Sequence, residues 1–114
     1  SHYMDNRSDL TFIRDIGEAI GRIEKFSQGM SFEKFRNKEV VVRATLYELS
    51  VIGEAARKIS DAFRKQHQQI PWKEIWDMCN RLIHDYTGVD YEVVWKTVSK
   101  DIPALKKLVE EIIE

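Results

Sequence analysis

Apolar side chains recur at steps of three and four along nearly the whole chain, and that period leaves room for little but helices. From Leu10 they fall at Ile13, Ile16, Ile20, Ile23 and Phe26, which draws one stripe on one helix face. A second stripe runs through Val41, Ala44, Leu49, Val51, Ile52, Ala55, Ala56, Ile59 and Phe63. A third joins Ile75, Met78, Leu82 and Ile83, and a fourth takes Tyr91, Val94, Trp95 and Val98 on to Leu105, Leu108, Val109 and Ile112. No alternating strand pattern and no internal repeat interrupts them. Breakers are scarce as well, with two prolines and five glycines in 114 residues.

Capping chemistry divides the stripes into elements. Asp9 is placed to cap the first helix and Gly29 to end it. Ser31 opens a short turn whose Phe32 and Phe35 fill core. Asn37 or Lys38 then starts the longest helix, which the pattern carries to about His67. Gly53, Ala55 and Ala56 give that helix a small-residue face that another helix can approach closely. A mid-helix glycine costs about 0.5–1 kcal/mol relative to alanine, so Gly53 has a packing reason. Glu54 beside it reads as a solvated or interface carboxylate.

Pro71 fits the first position of a third helix, which runs to the turn Tyr86-Thr87-Gly88. Asp90 caps a last helix, and Pro103, lacking an amide hydrogen, kinks or restarts it near Asp101. The expected architecture is an all-α, up-and-down bundle of four main helices with short loops. It forms one domain over 5–114, and Ser1-His2-Tyr3-Met4 reads as the remnant of a cleaved tag.

Charge and cysteine usage narrow the function. Eighteen basic against 19 acidic side chains give a net charge of −1. Dedicated nucleic-acid binders carry a basic excess, so any RNA contact must be local or shared across an oligomer. One cysteine excludes an intrachain disulfide and every multi-cysteine metal site. His2, His67 and His84 are too scattered to hold a metal together. No apolar run approaches the ~18–20 residues of a membrane span, and the expected setting is the reducing cytoplasm.

Chemistry concentrates at the end of the third helix, where Asn80, Arg81, His84, Asp85 and Tyr86 gather beside the apolar seam. Asn80 and His84 stand one helical turn apart, with Arg81 as neighbour. A histidine exchanges protons near neutral pH, an arginine or amide holds a phosphate oxygen, and a tyrosine adds a hydroxyl. These parts suffice to cleave RNA without metal, through attack of the ribose 2′-hydroxyl on its own phosphate. On residue chemistry alone a single helical histidine is more often structural, and Arg81 more often a solvated charge. Trp72, Trp76 and Trp95 read as core or interface residues.

The segments E-L-S-V-I-G-E-A-A-R-K-I-S at 48–60, I-P-W-K-E-I-W-D-M at 70–78, N-R-L-I-H-D-Y-T-G-V-D at 80–90 and W-K-T-V-S-K-D-I-P-A-L at 95–105 together resemble the HEPN superfamily, and within it the HepT toxins of HepT–MntA toxin–antitoxin systems. The resemblance covers nearly the whole domain. It implies a homodimer whose two motifs line one cleft, acting as a metal-independent endoribonuclease on RNA and needing no cofactor of its own. It also implies an MntA-like nucleotidyltransferase antitoxin that uses ATP to attach AMP to the motif tyrosine, here Tyr86.

The family pattern is Arg-x-x-x-x-His-x-Tyr, usually with asparagine after the arginine. Asn80, His84 and Tyr86 match it, whereas Cys79 stands where the arginine belongs. Arg81 does not restore the spacing, because two residues separate it from His84. A thiol in place of a permanent cation forfeits a transition-state donor worth about 10²–10³ in rate. Three accounts fit. The cysteine is an inactivating change that permits expression of a toxic gene; or it is natural and Arg81 substitutes imperfectly; or catalysis is lost and only binding to a nucleotidyltransferase remains, in a non-catalytic helical dimer.

Overall fold

The computed structural model describes residues 2–83 and 88–113, and the side chains of residues 8–82 and 88–113. Seven α-helices appear among these residues: α1 (His2–Ser27), α2 (Phe32–Arg36), α3 (Glu39–Lys58), α4 (Asp61–Gln66), α5 (Trp72–Ile83), α6 (Tyr91–Lys96) and α7 (Ile102–Ile113). A π-helical turn, Thr97–Asp101, joins the last two. No strand occurs among the described residues, so the fold is all-α, as the apolar period requires.

The helices pair antiparallel. Along α1 and α3, Asp9 meets Ser60, the Phe12 ring meets Lys58, and Arg22 meets Glu48 at 2.9 Å, a run in opposite directions. Lys106 of α7 reaches Glu24 of α1 at 3.0 Å, while Val109 and Ile113 lie over Gly17 nearer the start of α1. On the other side of α3, Cys79 of α5 packs on Gly53, and Trp72 packs on Phe63 of α4. α1, α3 with α4, α5, and α6 with α7 are thus the four rods of an up-and-down, HEPN-like bundle. Their stripes meet in one core, where Ile13, Ile16, Ile20, Ile23, Leu49 and Ile52 are all 1% exposed or less. Each such side chain contributes roughly 1.5–3 kcal/mol through burial.

Several boundaries follow capping chemistry. Gly29 adopts φ +71°, the left-handed conformation that ends α1, with the Met30 amide donating to the Ser27 carbonyl. Ser31 accepts from the Lys34 amide, and Asp90 from the Val93 amide. Pro71 lies one residue before α5, its carbonyl accepting from the Ile75 amide. Phe35 is buried and its ring sits 5.1 Å from that of Trp95, tying α2 to α6.

Other expectations do not hold. The second stripe is not one helix to His67: α3 stops at Lys58, and Ile59 and Ser60 are extended at ψ 136° and 155°. The 26-residue α1 is therefore longer than the 20-residue α3. Asp9 does not cap α1, which starts before it. Its carboxylate is 2% exposed and accepts from the Ser60 amide at 2.9 Å and the Ser60 hydroxyl at 2.6 Å. The Ser60 hydroxyl in turn accepts from Phe63 to cap α4. A contact 51 residues away in sequence thus stabilises a break that periodicity passes over.

Pro103 perturbs the last helix as expected, but by widening rather than breaking it. The Ile102 amide donates to the Thr97 carbonyl five residues back, so the chain absorbs the missing donor in one wide turn. The small face of α3 is occupied within the chain. A Cβ built on Gly53 would lie 2.9 Å from the Cys79 Cβ, so Gly53 admits α5 of the same molecule.

Candidate active site

The motif helix α5 buries Trp72, Ile75 and Cys79 against α3 and α4, with Met78 and Leu82 half-buried toward α6. Its other faces reach solvent. Lys73 and Asp77 pair across one turn at 3.8 Å, and Asn80 and Arg81 are exposed near the C-terminal end. The side chains of Asn80 and Arg81 have no hydrogen bond or ion pair with any described residue. Among the described residues nothing competes with a ligand oxygen for either side chain. His84, Asp85 and Tyr86, the remaining candidates, lie outside the described residues.

Cys79 is positioned very differently from its sequence neighbours. It is completely buried, with its Sγ 3.8 Å from where a Cβ on Gly53 would lie. Burial pushes its thiol up to about 12, against the smaller opposing influence of a backbone hydrogen bond at Gly53. The group is neutral near pH 7 and faces the inside of the bundle. It supplies neither a cation nor a thiolate to the surface that carries Asn80 and Arg81.

Glu54, on the solvent side of α3, is bound to Arg57 at 2.7 Å, which lowers its carboxyl pKa and raises that of the guanidinium. It is a paired surface carboxylate, in keeping with its sequence reading. Trp72 is buried and its indole N–H donates to the His67 carbonyl, and Trp95 is half-buried beside Phe35. Trp76 is 39% exposed, the most exposed of the three tryptophans.

Tertiary structure adds what periodicity does not reveal. A groove of about 420 Å³ runs between α5 and the α6–α7 rod, with Ile75, Met78, Leu105 and Leu108 among its walls and Arg81 and Lys96 lining it too. A contiguous recess of about 230 Å³ is lined by Met78, Arg81, Leu82, Asp90, Val93 and Val94. Met78, Arg81 and Val93 belong to both. The recess lies between the end of α5 and the start of α6, the two elements that bracket the motif histidine and tyrosine in sequence. Among the described residues no three histidine, cysteine, aspartate or glutamate side chains converge as metal ligands do. No helix among them is long and apolar enough to cross a membrane.

Comparison with known proteins supports the same reading. Residues 16–112 match the family described as Ribonuclease HepT-like. A Thermococcus cleftensis protein named "Probable ribonuclease HepT" is 42% identical over 93% of this chain and 96% of its own length. A "Putative RNase" of Caldanaerobacter subterraneus is 45% identical over 76% of this chain and 78% of its own. Another "Putative RNase", from Methanocaldococcus jannaschii, is 37% identical over 94% and 98%. No solved structure gave a significant match. With the family match and the relatives spanning most of the chain and the fold all-helical, this protein belongs to the HepT-like ribonuclease family.

Proposed function

We propose that this chain is the toxin component of a toxin–antitoxin pair, a metal-independent endoribonuclease acting as a homodimer in the cytoplasm. The observation that carries the reading is the stretch Asn80-Arg81-Leu82-Ile83-His84-Asp85-Tyr86 at the end of α5, in a chain matched to a ribonuclease family over residues 16–112. The exposed Asn80 and Arg81 side chains, unpaired among the described residues, support it.

In this mechanism the ribose 2′-oxygen attacks the adjacent phosphorus as its proton passes to a base, and the P–O5′ bond breaks as the leaving oxygen takes up a proton. His84 moves one of these protons, and its counterpart in the second copy moves the other. Asn80 and Arg81 hold nonbridging phosphate oxygens, where charge accumulates in the transition state. Cys79 leaves the motif without its arginine, and the buried neutral thiol offers no substitute. Cleavage is therefore weak as the chain stands. Cys79→Arg must displace the α3–α5 contact at Gly53 for its guanidinium to leave the bundle, so it is checked first for a retained cooperative melting transition; in a protein that passes, cleavage in EDTA is expected to rise by about 10²–10³. His84→Ala in that background is expected to lower it by about 10²–10⁴. Full activity with Cys79 in place, or activity that survives loss of His84, refutes these roles.

Control falls to an MntA-like nucleotidyltransferase that transfers AMP from ATP to the Tyr86 hydroxyl, releasing pyrophosphate. The adduct puts a bulky phosphodiester beside the site, where both its volume and its charge oppose an RNA phosphate. Incubation with ATP, magnesium and the nucleotidyltransferase, followed by peptide mass spectrometry, is expected to locate AMP on Tyr86 and to find none in Tyr86→Phe. A second reading, a non-catalytic dimer that binds and is modified by the nucleotidyltransferase, is favoured specifically by the burial of Cys79. A Cys79→Arg protein that keeps its melting transition separates the two, because a purely binding protein then stays inert.

A further inference from the structure

The recess between the end of α5 and the start of α6 has the composition of a nucleobase site. Met78, Leu82, Val93 and Val94 supply apolar walls, and Val93 is 44% exposed although it is a large aliphatic residue at the edge of a core. Two polar groups complete the lining, the Arg81 guanidinium and the Asp90 carboxylate. They form no ion pair with each other, and Arg81 has no partner among the described residues. Asp90 Oδ1 accepts from the Val93 amide at 3.2 Å, which fixes the carboxylate at the start of α6. Its Oδ2 has no partner among the described residues. The site thus pairs a neutral apolar cavity with one cation and one pinned acceptor.

We propose that this recess is a guanine-selective base subsite beside the scissile phosphate, a role that rests on the ribonuclease reading and adds a specificity residue, Asp90, to it. RNA-binding proteins read unstacked bases on their Watson–Crick edges, with apolar or aromatic groups against the ring faces. An ionised carboxylate only accepts hydrogen bonds. Guanine presents two adjacent donors, N1–H and the 2-amino group, to one carboxylate. Uracil presents a single N–H between two carbonyl oxygens, which the carboxylate repels, and adenine presents its amino group beside a ring acceptor. Arg81, shared between the recess and the larger groove, holds the phosphate attached to the bound nucleoside.

The test needs no cleavage. Methyl-labelled methionine in the full chain gives separate NMR signals, with Met78 in the recess and half-buried Met30 as an internal control. Titration with the four nucleoside 3′-monophosphates to about 10 mM, ten times a weak Kd of about 1 mM, is expected to move Met78 and leave Met30 in place. Guanosine 3′-monophosphate should act at least fivefold below the others. Asp90→Asn keeps an oxygen to cap Val93 but replaces part of the acceptor with a donor, and should erase that preference. Val93→Trp, checked for an unchanged melting transition, should fill the recess and abolish the response.

A silent Met78, equal responses to all four nucleotides, or an unchanged preference in Asp90→Asn overturns the proposal. So does a Met78 shift that follows protein concentration alone, which would make the recess a contact between copies. Guanine-selective binding in a Cys79→Arg protein that keeps its melting transition and stays inert preserves the subsite and removes the ribonuclease reading. RNA cleavage without any guanine response does the reverse.

Discussion

Replacing Gly53 with alanine should destabilise this protein, although the same change at an open helix position stabilises. A Cβ at position 53 would lie 2.9 Å from the Cys79 Cβ. Carbon atoms rest at about 3.5–4.0 Å, so α3 and α5 must part by several tenths of an ångström or more. The obstructing atom is a Cβ fixed to the backbone of α5, so no side-chain rotation relieves it. Overpacking of this kind costs about 1–3 kcal/mol, and the helix propensity gained from alanine returns about 0.5–1. The expected net loss is roughly 0–2.5 kcal/mol, with a central value near 1, readable as a lower midpoint in urea at unchanged slope.

A double mutant isolates the cause. Cys79→Gly removes the obstructing atom, at its own cost in helix propensity and lost packing. Gly53→Ala should then cost less, or become favourable, in the Cys79→Gly background. The coupling should exceed the ~0.3–0.5 kcal/mol within which independent sites add. Cys79→Ala keeps its Cβ and should give no such relief. A Gly53→Ala protein more stable than the parent, or single effects that simply sum, would show that α3 and α5 do not meet as closely as 2.9 Å implies.

Three further outcomes follow from other contacts. Cys79, the single cysteine, should react with a thiol reagent only as the protein opens, since its native pKa is pushed up from 9.0 to about 12. Between those values the unfolded chain ionises and the folded chain does not. Stability is therefore lost as pH rises from about 9 to 12, by about 1.4 kcal/mol per unit, and Cys79→Ala should lack that slope. Asp9→Ala strips both acceptors from Ser60 and should cost about 1–3 kcal/mol, with early hydrogen exchange at α4. A loss under about 0.3 kcal/mol refutes the clamp. Light scattering at tens of micromolar, above the dissociation constant of a typical tight dimer, should return a dimer mass, and a monomer removes the shared two-motif cleft.

Much of this protein is legible along the chain because its determinants are local. The stripe from Ile13 to Ile23 repeats at the helical period and becomes one buried face of α1. Gly29, Ser31 and Asp90 act through bonds to residues within three positions, so their roles are written beside them in sequence. The motif around Asn80 is legible for the same reason, since a helix sets its neighbours by spacing alone.

What the sequence does not disclose depends on partners far along the chain. Asp9 looks like a helix cap until folding brings Ser60 to it, and the periodicity of 41–63 gives no sign that this contact ends α3 at Lys58. Gly53 announces a close approach without saying to which helix, and folding selects α5 of the same chain. Cys79 and Arg81 are two residues apart, yet about 200° of helical rotation separates them. One is sealed against α3 and the other lines a recess with Asp90 and Val93. Periodicity puts residues on faces, but only the packing of α5 between α3 and α6 decides which face meets protein and which meets solvent.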